Sequence, residues 1–188
     1  MPDALMPELD TRFRMARPAD AGTIVAIINA ASSGDGGTAG WTHEGAIFEG
    51  DRTHAAEILS LLARPGGMFL LRVYRGEVAG CAYLEKMGNV AYMGMLAVRP
   101  AIQGSGVGKE IIAEAERIAR EAMACNLMAI GVLTRHRPEV AAFYERRGFA
   151  RTGRVKPFQG AQARRTRKAP DVRAEWMEKK LVQQHHTY

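Results

Sequence analysis

The run Met93-Gly94-Met95-Leu96-Ala97-Val98-Arg99-Pro100-Ala101-Ile102-Gln103-Gly104-Ser105-Gly106-Val107-Gly108-Lys109 joins an apolar strand to a glycine-rich turn that opens a helix. Few folds accommodate that junction. Glycine tolerates positive φ and lets a ligand approach the main chain, while the first N–H groups of a helix have no internal acceptor and its dipole favours an anion there. The run therefore predicts a backbone cradle for a diphosphate-like group. Spacing separates the possible loop types. A Walker-type loop needs Gly, four residues, then Gly-Lys-Ser/Thr, but Gln103 holds the first glycine position and Glu110 follows Lys109. A dinucleotide fingerprint starting at Gly104 would need its third glycine where Lys109 stands. What remains is Gln-x-x-Gly-x-Gly, filled by Gln103, Gly106 and Gly108 directly after Leu96-Ala97-Val98.

Further along, Leu127 to Leu133 is an apolar run of strand length, followed by Arg135-His136-Arg137-Pro138 and by Phe143-Tyr144-Glu145-Arg146-Arg147-Gly148-Phe149. Pro138 suits a first helical turn; Val140, Phe143, Tyr144 and Arg147 share one helix face; Gly148 is a natural stop. Gln-x-x-Gly-x-Gly followed in order by Phe-Tyr-Glu-x-x-Gly-Phe resembles the paired signatures of the GNAT superfamily of acyl-CoA N-acyltransferases.

Periodicity supplies the order of elements around these motifs. A short strand, Phe13 to Ala16, precedes a helix from about Ala19 with the stripe Ile24, Ile27, Ile28 and Ala31. A second helix follows Asp51-Arg52-Thr53, with Ala55, Ile58, Leu59 and Leu62 as its apolar face. Three strands, Met68 to Tyr74, Val78 to Lys86 and Val90 to Val98, read as an antiparallel meander turned at Arg75-Gly76 and Gly88-Asn89. The loop helix runs from Val107 to about Met123, with Ile111, Ala115, Ile118, Ala119 and Ala122 on one face. Closing strands are expected at Ala150 to Val155 and Val172 to Lys179. This order matches the family's α+β fold, a central, mostly antiparallel sheet splayed at the cofactor cleft and flanked by four helices. The expected organisation is an N-terminal arm over 1–10, one such domain over 11–182 and a tail over 183–188.

The resemblance implies an N-acetyltransferase that moves an acetyl group from acetyl-CoA directly to the primary amine of a small molecule. It implies that main-chain groups of Leu96, Ala97 and Val98 hold the pantetheine arm. Gln103, Gly104, Ser105, Gly106, Val107, Gly108 and Lys109 would then hold the diphosphate. Tyr144 corresponds to the tyrosine that protonates the departing thiolate in many members. A phenol near pKa ~10 is only a helper to a thiolate near ~8.5; the other reading is a core-edge tyrosine bonded to a backbone carbonyl. Many relatives carry an asparagine ahead of the second-signature helix, where this chain has Arg135-His136-Arg137-Pro138.

The incoming ammonium must lose a proton, and Glu85 is the candidate base. With Gly88-Asn89 as a two-residue turn, Glu85 falls opposite Tyr92, on the same face as Gly94 and Leu96. That face is either the cleft or the back of the sheet. The aperiodic stretch 40–53 lies where the family varies its acceptor wall. There Trp41 and Phe48 offer apolar area and Glu44, like Glu49 and Asp51, attracts an ammonium; Tyr92 joins them as a candidate acceptor contact. The same residues also suit a loop pinned to the core. His43 and His54 are weaker candidates, His54 standing at a helix start.

The formal charge is +6, with a late excess in Arg151, Arg154, Lys156, Arg164, Arg165, Arg167, Lys168 and Arg173. Phe158 alone interleaves that run, which argues against sequence-reading RNA contacts. A protein or aminoacyl-tRNA acetyltransferase, or a non-catalytic acyl-CoA-binding regulator, are the alternatives, and a homodimer stays open. Cys81 and Cys125 have neither metal-ligand spacing nor a disulfide framework. No metal is expected. With no membrane-spanning run and no cationic-then-apolar start, the expected compartment is the cytoplasm.

Overall fold

The computed structural model describes residues 12–33, 50–135, 137–157 and 173–182. Trp41, His43, Glu44, Phe48, Glu49, half of the late basic run (Arg164, Arg165, Arg167 and Lys168), and the arm and tail expected at the two ends lie outside them. Four helices, α1 (Ala21–Ser33), α2 (Ala55–Leu62), α3 (Val107–Glu121) and α4 (Pro138–Glu145), accompany strands β1 (Phe13–Met15), β2 (Gly67–Tyr74), β3 (Glu77–Met87), β4 (Val90–Val98), β5 (Leu127–Val132), β6 (Ala150–Pro157) and β7 (Arg173–Lys180). The strands form one seven-stranded sheet in the order β1-β2-β3-β4-β5-β7-β6. Among the described strands only β4 and β5 pair in parallel, because α3 carries the chain across between them. None of the described helices is long and apolar enough to cross a membrane.

Both faces of the sheet are covered, which explains why β3 is buried from Val78 to Leu84 without alternation. On one face α3 and α4 bury Leu70, Leu84, Met93, Ile111, Ile118 and Met128; on the other α1 and α2 bury Ile24, Ile27, Ile58, Phe69, Cys81 and Tyr83. Each such aliphatic side chain contributes about 1.5–3 kcal/mol of transfer free energy. Of the face expected for α2, Ile58 and the half-buried Leu62 pack on the core, joined by Leu61, whereas Ala55 and Leu59 (43%) are exposed. On α3 the last turn buries Met123 rather than Ala122. Asn29 of α1 locks the approach to α2, accepting the Thr53 N–H at 2.9 Å and donating to the Thr53 carbonyl at 3.0 Å. His54 caps that helix, its Nδ1 accepting the Glu57 N–H at 3.2 Å.

Candidate active site

The parallel ladder between β4 and β5 ends at Met93 and Ile130, yet β4 continues to Val98 and β5 to Val132. The two strands therefore part, leaving one edge of the β4 segment 94–98 without a strand partner. A bulge sits at the same point. Glu85 pairs with Tyr92 and Tyr83 with Gly94, but Cys81 pairs with Ala97, so β4 carries one extra residue. Met95 absorbs it at φ 49, a conformation that costs a non-glycine residue about 1–2 kcal/mol.

The bulge corrects one expectation. Glu85, Tyr92 and Gly94 do share a face, but Leu96 is turned to the opposite one. Leu96 and Val98 pack with the core under α3 and α4, whereas Tyr92, Met95 and Ala97 pack with the core under α1 and α2.

At the open end of the gap the Arg99–Gln103 turn leads into α3. The Gln103 amide donates to the Val98 carbonyl at 3.0 Å, tying the loop to the end of the strand. Gly104 and Gly106 adopt φ 81 and 91, and a Cβ built on either would meet nothing within 4 Å, so open space lies beside both. Ser105 turns its hydroxyl back onto the Ile102 carbonyl, which leaves only main chain to offer. The Glu110 N–H closes the first turn on the Gly106 carbonyl, while the amides of Gly104, Gly106, Val107, Gly108 and Lys109 make no backbone hydrogen bond outside the helix among the described residues. Gly108 lies between β4 and α4, its ideal Cβ position 3.7 Å from Val98 and 4.0 Å from Phe143. Free amides, positive-φ glycines and open space fit a diphosphate.

An acid in the first turn would repel such a ligand, and the fold neutralises it. Arg72, only 6% exposed in the middle of β2, donates from Nε to Glu110 Oε2 at 2.7 Å, and Arg12 approaches the other oxygen at 3.5 Å. Sequence reading missed Arg72; its one signal is a lone cation inside an apolar strand.

Tyr144 is 7% exposed and wedged edge-on against Phe143 and Phe149. Its hydroxyl makes no hydrogen bond among the described residues. Burial pushes its pKa well above the ordinary phenol value, and the Tyr92 phenol pushes it further. Tyr92 belongs to the α1/α2 side and Tyr144 to the α3/α4 side. Tyr92 in turn stands edge-on to Trp176, centroids 5.5 Å apart, and its hydroxyl lies 2.7 Å from where a Cβ on Gly94 would be.

Glu85 is engaged on one oxygen. Its Oε2 accepts the Tyr83 hydroxyl at 2.8 Å and the Arg64 guanidinium at 3.3 Å. Tyr83 was legible as a neighbour, two residues away on the same strand face, but was not singled out. Burial and the adjacent Glu85 push the Tyr83 phenol far up, so it stays protonated and keeps donating. Gly67 makes room, since a Cβ there would stand 2.5 Å from the Tyr83 hydroxyl. Both cysteines are buried and unpaired, and burial pushes Cys81 up to about 12, which leaves no thiolate for covalent catalysis.

This arrangement, an amide-lined helix start at the mouth of a strand gap, defines an enzyme class that grips an acyl thioester carrier by its backbone and diphosphate. A sequence model of the acetyltransferase (GNAT) family matches residues 20–149, and the chain belongs to that family. It is an acyl-CoA N-acyltransferase, with acetyl-CoA as the co-substrate of its class. No curated protein matches the sequence. Among solved structures, the PaiA N-acetyltransferase of Thermoplasma acidophilum in complex with coenzyme A superposes with TM-score 0.62 at 18% identity, over 92% of this chain and 99% of that one. YncA of Salmonella typhimurium, solved with its cofactor acetyl-CoA, gives 0.62 at 20% identity over 96% of this chain and 99% of its own. The ribosomal-protein-alanine N-acetyltransferase of Brucella melitensis gives 0.64 at 21% identity, over 90% and 99%.

Proposed function

We propose that this chain transfers the acetyl group of acetyl-CoA directly to the primary amine of a small molecule, in a ternary complex without a covalent enzyme intermediate. The observation that carries this reading is the gap between β4 and β5, with the first amides of α3 free of backbone partners at its open end. In it the main chain of Leu96, Ala97 and Val98 holds the pantetheine arm, and Gln103 to Lys109 hold the diphosphate. The bound thioester supplies an activated acyl carbon and a thiolate leaving group. Tyr144 donates a hydrogen bond to the departing sulfur; its raised pKa keeps the proton in place at neutral pH but weakens it as an acid. Glu85, held by Tyr83 and Arg64 on one oxygen, has the other left to take the ammonium proton, directly or through water. Tyr92 lines the acceptor side; Trp41, Glu44 and Phe48, outside the described residues, are the further candidates for contact with the acceptor.

The catalytic domain is taken as 11–182 and the compartment as the cytoplasm. A thiol-release screen of polyamines, amino acids, amino sugars and alanine-terminated peptides tests the acceptor. Saturable release with a small amine, lost in Gly106→Glu, supports the reading. Release with peptides alone favours the protein acetyltransferase, and carrier binding without release for any amine favours the regulator.

A further inference from the structure

The late basic excess has no part in the acetyl-transfer chemistry, yet the fold gathers some of it. A concavity of about 420 Å³ lies where the end of β5 meets the β6-β7 hairpin, lined by Thr134, Arg135, Arg151, Gly153, Arg173 and Glu175 among others. Its floor is fixed. The Glu175 side chain, 14% exposed, accepts the Thr134 hydroxyl at 2.6 Å and the Gly153 N–H at 3.4 Å, with Arg151 at 4.0 Å. Arg151 is also held by Glu145 at 2.9 Å.

Neighbouring cations on the hairpin are engaged, Arg154 with Glu178 and Lys156 over the Trp176 ring at 4.8 Å. Arg135 and Arg173 differ. Both are exposed and make no ion pair among the described residues, and both border this one concavity. Three arginines thus line the concavity with one carboxylate whose oxygens are already occupied. A concave wall focuses the surplus positive field, and planar guanidinium forks match oxyanions through two parallel hydrogen bonds.

We propose that this concavity is a binding site for a phosphate group. It lies on the β7 side of β5, whereas the acyl-carrier gap lies on the β4 side, so the two sites share that strand as a wall. Phosphate of this chemistry comes either from a free phosphorylated metabolite or from the ribose 3′-phosphate of a coenzyme-A carrier. Binding is read without turnover, so the proposal stands or falls separately from the acetyl-transfer reading.

Inorganic phosphate is the probe, titrated calorimetrically into the full chain carrying Gly106→Glu, which blocks the amide cradle. The expected result is saturable, salt-weakened binding that falls about tenfold or more in Arg135→Gln/Arg173→Gln. Glu175→Gln, which removes the one negative charge, is expected to tighten it, and this opposite sign separates charge from damage to the fold. Coenzyme A and 3′-dephospho-coenzyme A are then compared without the Gly106 change. If the carrier's 3′-phosphate is the ligand, the double variant loses affinity for coenzyme A alone; if a separate metabolite is, both carriers bind it as they bind the wild type. Phosphate affinity that is equal with and without the two arginines, or is unmoved by Glu175→Gln, overturns the proposal.

Discussion

At the scale of single residues the account rests on proton positions. The Tyr144 hydroxyl makes no hydrogen bond among the described residues and burial raises its pKa, and the thiolate it assists is already fairly stable. Tyr144→Phe is therefore expected to lower kcat on the order of tenfold, at or below the low end of general-acid contributions, with the KM for acetyl-CoA unchanged. Steady-state kinetics check this; a loss of a thousandfold would make Tyr144 an essential acid instead. The pH dependence has a definite sign. Neutral amine accumulates as pH rises, and a Tyr144 pKa displaced upward keeps the donor protonated above the ordinary phenol value of about 10. The profile of kcat/KM should rise to the alkaline side without a descending limb below that pH, and Tyr144→Phe should leave its rising limb where it is. A descending limb near neutrality that vanishes in Tyr144→Phe would contradict this.

At the scale of elements, the first turn of α3 is held from the sheet edge. Without Arg72 the carboxylate of Glu110 keeps only the more distant Arg12, and its charge opposes an anion at the helix start. Arg72→Met is expected to raise the KM for acetyl-CoA about fivefold, and Arg72→Met/Glu110→Gln to restore most of the loss. Failure of the second change to restore affinity would mean that Arg72 acts through packing. The turn between β1 and α1 shows a second use of charge. Asp20 accepts Arg14 at 2.7 and 2.8 Å and the Arg17 N–H at 2.7 Å, and the Arg14 contact above all lowers its pKa to about 2. A depressed folded pKa stabilises above the unfolded value of about 3.9 and loses that contribution as pH falls through about 2. Asp20→Asn should cost about 1 kcal/mol at pH 7, discounted for the half-exposed Arg14. The difference should close below pH about 2, as measured by denaturant unfolding.

Over the whole molecule, the order of strands and helices was legible because glycine pairs and helical stripes punctuate the chain. The loop was legible because bare backbone leaves a glycine signature. The bulge was not: Met93 to Val98 is uniformly apolar and carries positive φ on Met95, not on a glycine. Alternation therefore carried Leu96 to the wrong face. Arg72 with Glu110, and Gly67 with Tyr83, were hidden because each depends on residues brought together from different elements. The two covered faces of the sheet converge on the gap between β4 and β5, and the central claim is that this gap with its helix start grips a thioester carrier. Calorimetric titration of coenzyme A into wild type and Gly106→Glu tests that most directly. The account predicts one-to-one binding in the wild type and none in the variant, which still unfolds cooperatively but melts a few degrees lower because residue 106 stands at φ 91; equal binding by the two would contradict it.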